Sequence, residues 1–285
     1  MQTFNYEEAF SRNIGWLTRA EQETLRRQRV AIAGLGGVGG VHLLTLCRLG
    51  IGKFHLADFD TFDLANFNRQ AGATVGSLGQ PKLDVMIRQA LDINPELDIA
   101  GFADGVTEDN IGAFLDGVTL FVDGLDFFAF DARQMVFAAC AAKGIPAVTA
   151  APLGMGAAVL NFLPGGMSFE DYFRLNDGSE AEKPVRLLMG LAPARLQMGY
   201  LADPTAVDFA NRKGPSTVMA CQLCAGAAAT EALKILLGRG PVRAAPRGYH
   251  FDAYRNRLAL TWRPGGNRNP LQRVLIALAK RKLGI

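Results

Sequence analysis

Apolar positions along the chain recur at two periods. The apolar run at 30–33 and the mostly apolar stretches at 54–57, with His55, and 118–122, with Thr119, read as buried strands. Between the first two, an apolar segment running to about Leu49 reads as a helix. Leu83, Met86, Ile87, Ala90 and Leu91 fall at helical spacing up to Ile93. Pro81 suits the first turn of that helix, and Asn94-Pro95 ends it. A short strand at 97–102, a short helix at 109–115, a helix ending at Lys143-Gly144 and a strand at 145–150 follow. Residues 155–163 form a further strand, closed by Pro164-Gly165-Gly166. Before the first strand, Thr18 and Glu21 match a capping box, which predicts a helix from Arg19 to about Arg27.

The second half is less regular. Residues 165–215 hold Gly178, Pro184, Pro193, Pro204 and Pro215, and read as a crossing loop with short helices. A helix over 217–237 stops at Gly238, and 249–253 pairs with 257–262 as a hairpin. From Pro270, the pattern puts Leu271, Val274, Leu275 and Leu278 on one helix face. Arg273, Lys280, Arg281 and Lys282 make this tail basic. A packed or partner-facing helix is preferred there to a membrane anchor. Strands alternating with helices imply an α/β, Rossmann-like fold. Its sheet is largely parallel and flanked by helices, with a C-terminal antiparallel portion. We divide the chain into an N-terminal arm and helix (1–28), a nucleotide-binding core (29–163) and a C-terminal part of the same domain (164–285).

Composition narrows the class only a little. The 285 residues are 49% hydrophobic with a formal charge of +3, which gives no support to a nucleic-acid surface built on bulk electrostatics. No apolar run of about 18 residues free of charge or breakers reads as a membrane span. The acidic N-terminus, Met1 to Glu8, has no signal-peptide core, and four cysteines make no disulfide framework. A cytoplasmic enzyme is the expectation.

The candidate chemistry lies between the first two strands and just beyond them. Gly34, Gly36 and Gly39 fit G-x-G-x-x-G at a strand-to-helix turn, where backbone N–H groups approach phosphate. Asp58 follows at the end of the second strand, where a carboxylate can bind ribose hydroxyls. These alone indicate a nucleotide, with an NAD(P) or FAD oxidoreductase as one reading. Asp58-Phe59-Asp60, then Asn66-Phe67-Asn68-Arg69-Gln70, then Gly79-Gln80-Pro81-Lys82, go further. With the glycine turn they match a D-x-D, an N-x-x-R-Q and a G-x-x-K at the spacing of one family. The chain resembles the ThiF/MoeB/HesA superfamily, which includes the ubiquitin-activating enzymes, over most of its length.

That resemblance implies ATP-dependent adenylation of a carboxylate. The carboxylate would be the C-terminus of a ubiquitin-like or sulfur-carrier protein, a peptide or a small acid. It implies Asp58 on the ribose, Gly37 backbone near the nucleotide, and Asn66, Arg69 and Lys82 on the phosphates, with Asp60 and Gln70 in the matched motifs. Asp126 matches the aspartate associated with Mg²⁺, and Asp123 reads as a cap for the following helix. A homodimer is implied, in which Arg12 reaches the partner's ATP phosphates; a solvated charge on an arm is the other reading of Arg12. Three departures stand out. Phe127 replaces the usual Asn, and Asp131, with Arg133 nearby, replaces an arginine. Cys221 and Cys224 form a single CxxC pair, while Cys47 and Cys140 sit in apolar helices and 141–220 hold no cysteine, so no zinc is expected. The absence of a zinc module and loop cysteine resembles the TcdA branch, which acts on tRNA. Phe127 and Asp131 also leave open an inactive member serving as a binding partner.

Overall fold

Strand pairing follows the apolar runs. The computed structural model describes residues 3–209 and 211–283, so Met1 and Gln2 of the arm, and Gly284 and Ile285, lie outside the described residues. The strands are β1 (Arg29–Ala33), β2 (Lys53–Ala57), β3 (Asp98–Phe102), β4 (Leu120–Asp123), β5 (Ala147–Leu153), β6 (Gly156–Phe162), β7 (Arg247–Asp252) and β8 (Arg257–Trp262). Among the described residues they make one sheet of order β3-β2-β1-β4-β5-β6-β7-β8. The first five are parallel, and β6, β7 and β8 are antiparallel to their neighbours. The chain reverses its direction of growth between β1 and β4, so a crevice opens there at the carboxyl ends of the strands. The register puts Ala33, Ala57 and Asp123 level with one another.

The helices are α1 (Tyr6–Ala9), α2 (Arg19–Arg27), α3 (Gly39–Leu49), α4 (Lys82–Ile93), α5 (Ile111–Phe114), α6 (Phe130–Lys143), α7 (Phe169–Phe173), α8 (Lys183–Leu191), α9 (Val218–Leu237) and α10 (Pro270–Leu283). The Thr18–Glu21 capping box forms in full and sets the start of α2. Pro81 stands just outside α4, with ψ 131°, not in its first turn as expected. α9 packs on β5, β6 and α3, beneath the centre of the sheet. By length and composition alone this helix is long and apolar enough to cross a membrane. Here its Cys221, Cys224, Ala225, Ala228 and Glu231 are buried against the protein, and Glu231 accepts from Asn161 (2.9 Å) and Lys234 (2.5 Å).

The crossing segment carries short helices as expected, α7 and α8, whereas α10 departs from its sequence pattern. The crossing segment contributes to the core, since Leu187 and Leu191 of α8 join Phe162, Phe169 and Phe173. α10 is turned about its axis relative to the sequence pattern. Gln272 and Ile276 face inward, and Gln272 donates to the Met189 carbonyl of α8. Leu271, Val274 and Leu278 are exposed. Apolar spacing marks a face but not what lies opposite it, and α8 meets the other side of this helix.

Candidate active site

The glycine turn fills the crevice beside β1. Gly34 has φ +82°, and a Cβ there would stand 2.3 Å from the Gly124 carbonyl oxygen. A Cβ at Gly39 would stand 1.8 Å from the Gly34 carbonyl, so neither position admits a side chain without moving backbone. α3 starts at Gly39 with no side-chain cap, which leaves its first N–H groups available to an anion. Gly36 and Gly37 meet side chains instead. A Cβ at Gly36 would touch the Gln70 amide at 3.5 Å, and one at Gly37 would touch Cys221 Sγ at 3.3 Å and Arg69 at 3.6 Å.

Gln70 and Arg69 therefore meet the glycine turn, by different means. Arg69 lies over Gly37 and donates to the Ala65 carbonyl (3.0 Å) and to Asn68 Oδ1 (2.9 Å). No carboxylate among the described residues pairs with it, which leaves its charge available to an anion. Gln70 is buried, and its Oε1 has no hydrogen-bond partner. Asn68 ties this segment to the approach to α9 by donating to the Ser216 carbonyl at 3.1 Å. Asn66 spends its side-chain oxygen on the Asp63 amide (3.0 Å), closing a local turn.

Asp58 sits at the tip of β2. Its Oδ2 accepts from the Leu35 amide inside the glycine turn (2.6 Å), and its Oδ1 accepts from the Asp60 amide (2.8 Å). Burial raises this carboxyl above the usual carboxylate range, opposed by those two amides and by the Lys82 charge. Lys82 is buried, and its Nζ donates to Asp60 Oδ2 at 3.0 Å. Asp60 is thus the partner of Lys82, a pairing that the motif spacing did not reveal.

The loop after β4 abuts the glycine turn, with the Gly124 carbonyl against Gly34. Asp126 is exposed, and its Oδ1 accepts from the Phe128 amide (2.9 Å). Asp123 is not a cap for α6. It is buried, receives Arg133 Nε (3.0 Å) and Thr149 Oγ1 (2.9 Å) on one oxygen, and takes the Leu125 amide on the other. Arg133 also donates to the carbonyls of Leu125 (2.7 Å), Asp126 (3.0 Å) and Phe127 (3.3 Å). It is a buried clamp on the loop that carries Asp126, and Asp131 pairs with Lys183 at 3.4 Å instead. Phe127 stacks on Phe209, with centroids 6.2 Å apart, and forms an aromatic cluster with Phe128 and Phe130. The sequence signal for this clamp is Arg133 itself, a charged residue in the first turn of α6 that ends up buried.

Arg12 does not join this group. It lines a cavity of about 280 Å³ with Phe10, Arg48 and Ile93. Arg48 and Ile93 stand at the far ends of α3 and α4, and α3 alone is about 16 Å long at 1.5 Å per residue. Arg12 is therefore remote from its own glycine turn. All four cysteines are buried free thiols. Burial keeps Cys221 protonated above the usual thiol range, although the Ser216 hydroxyl and the Arg69 charge pull the other way. Among the described residues no group of three or more His, Cys, Asp or Glu side chains gathers to hold a metal. Asp126 is an exposed carboxylate, the kind of oxygen donor that Mg²⁺ takes together with phosphate oxygens.

A profile of the ThiF family matches residues 10–274. The chain belongs to the ThiF family. It is 35% identical over 150 residues to the tRNA threonylcarbamoyladenosine dehydratase of Bacillus subtilis, covering 52% of this chain and 57% of that protein. It is 30% identical over 188 residues to the sulfur carrier protein ThiS adenylyltransferase of Escherichia coli, covering 66% and 74%. The aligned part thus spans little more than half of the first of these ThiF relatives. Among solved structures, PaaA superposes with a TM-score of 0.68 at 18% identity, over 92% of this chain and 74% of that one. MccB of E. coli with ATP gives 0.62 at 18% identity, over 85% and 65%. These likenesses establish the shared ThiF-type Rossmann-like fold.

Proposed function

We propose that this ThiF-family chain is an ATP-dependent adenylyltransferase. It activates a carboxylate as an acyl-adenylate and releases pyrophosphate. The observation that carries the reading is Arg69, an arginine without a carboxylate partner lying on the glycine turn at an uncapped helix start. Such a concentration of donors and positive charge suits a triphosphate. The ThiS adenylyltransferase relative supports the same chemistry.

The steps follow from the groups. The turn from Gly34 to Gly39 holds phosphate oxygens through backbone amides. Asp58 takes the ribose hydroxyls, fixed in place by the Leu35 and Asp60 amides. An oxygen of the substrate carboxylate attacks the α-phosphorus, the bond from that phosphorus to the bridging oxygen breaks, and pyrophosphate departs. Arg69, with Lys82 and the amide of Asn66, stabilises the charge that builds on the phosphates. Lys82 is pre-oriented by Asp60. Asp126 would hold Mg²⁺, which neutralises triphosphate charge when bound. Gln70 buttresses the turn at Gly36.

The carboxylate is the C-terminus of a small carrier protein, a peptide or a small acid. The acyl-adenylate passes to a nucleophile other than a cysteine of this chain, in keeping with four buried thiols. Arg12 acts across a homodimer, because its own site is out of reach along α3. ATP–pyrophosphate exchange with candidate carboxylates tests the reaction. Exchange that needs the carboxylate supports it, and tight NAD or FAD binding with no response to ATP refutes it.

A further inference from the structure

Residues 253–285 carry eight Lys or Arg and no Asp or Glu. The formal +3 of the chain thus divides into +8 over this tail and −5 over residues 1–252. Net charge concealed that asymmetry. α10 lies within the tail. Its inner face is occupied by Gln272 and Ile276 against the protein, and Lys280 is paired with Glu182. Its outer face presents Leu271, Val274 and Leu278, which are 70%, 57% and 58% exposed. At 100° per residue the three fall within an arc of about 60°. Arg281 is exposed about 20° from Val274, Arg273 is exposed about 100° from it, and Arg268 is exposed just before the helix.

An aliphatic stripe turned to solvent, on a helix with exposed arginines and no acidic residue, needs an apolar and anionic counterpart. A second copy does not supply one, since two-fold pairing would bring arginine onto arginine with no acidic residue on the face. Nucleic acid offers phosphate, but Leu and Val give its bases nothing to stack on. The surface of an anionic bilayer offers both parts at the right depths. We propose that α10 lies in the headgroup region of a membrane containing anionic phospholipid. Leu271, Val274 and Leu278 enter the acyl boundary, and Arg268, Arg273 and Arg281 meet the phosphates. Three aliphatic side chains make this a reversible, salt-sensitive contact. α9, although apolar enough to span, stays in the fold.

The test uses the whole chain and co-sedimentation with vesicles, either phosphatidylcholine alone or phosphatidylcholine mixed with phosphatidylglycerol. The protein should bind the mixed vesicles at low salt, release at high salt and ignore the neutral ones. Leu271→Glu and Leu278→Glu should each lower binding roughly tenfold. Val274→Gln, which adds no charge, should weaken it severalfold, and Arg273→Glu with Arg281→Glu should abolish the preference for phosphatidylglycerol. These side chains are exposed, so melting temperatures should hold. No binding to the mixed vesicles, or binding indifferent to the leucine substitutions, overturns the proposal. So does binding of an RNA oligonucleotide or an acidic protein that requires the same leucines in the absence of vesicle binding.

Discussion

Removing the Arg133 guanidinium should unfold the protein early and loosen the loop that presents Asp126. In Arg133→Met the buried Asp123 carboxylate keeps its Thr149 and Leu125 bonds but loses its only cation partner among the described residues. Three loop carbonyls lose their donor as well. Both side chains of the pair are at most 5% exposed, so water does not take over the lost contacts. Breaking one side of such a buried pair costs about 3–5 kcal/mol. For a chain of this size that lowers the melting temperature by roughly 6–20 °C. Circular dichroism melts, with urea titrations to obtain the free energy, measure it. Adding Asp123→Asn removes the stranded charge, so the double variant should recover a large part of the loss. A melting temperature for Arg133→Met within about 2 °C of wild type would refute the clamp, as would an Asp123→Asn change that deepens the defect.

Other consequences follow from single groups. Arg69→Ala should lower the adenylation rate by roughly two orders of magnitude, read by pyrophosphate exchange, with little change in melting without ATP; a near-normal rate would reduce Arg69 to a surface charge. His42 is buried without a hydrogen-bond partner, which pushes its imidazole down from 6.5 to about 4. A depressed folded value gives stability that is complete above about pH 6.5 and is lost as pH falls to 4, worth about 3 kcal/mol. Urea titrations across that window should show the loss in wild type and a smaller slope in His42→Leu; equal slopes would contradict it. Mixing inactive Arg12→Ala with inactive Lys82→Ala should restore at most about one quarter of wild-type activity if Arg12 serves the partner's site. No recovery, with subunit exchange verified, would end the cross-dimer assignment.

The core of the site was legible because its parts are local in sequence. The turn from Gly34 to Gly39, Asp58 at the tip of β2 and the segment carrying Arg69 follow one another, and each motif has its own steric or electrostatic reason. The capping box likewise placed α2. What escaped depended on distant packing. Asp60 pairs with Lys82 across 22 positions, and Arg133 reaches back to Asp123, beyond what motif spacing encodes. Cys221 lies under Gly37 because α9 passes beneath the turn, which an Ala-rich helix does not announce. α10 shows the limit of periodicity. Its aliphatic stripe was recognised correctly, but the burial of Gln272 and Ile276 was decided by α8.

The central claim is that the crevice beside β1 takes a triphosphate. Calorimetric titration of the wild-type chain and of Arg69→Ala, with ATP in the presence and absence of Mg²⁺ and with NAD, tests it without knowledge of the carboxylate. The account predicts Mg²⁺-dependent ATP binding that weakens by tenfold or more, about 1.4 kcal/mol, in Arg69→Ala, and little binding of NAD. Tight NAD binding, or ATP binding indifferent to both Mg²⁺ and Arg69, would contradict it.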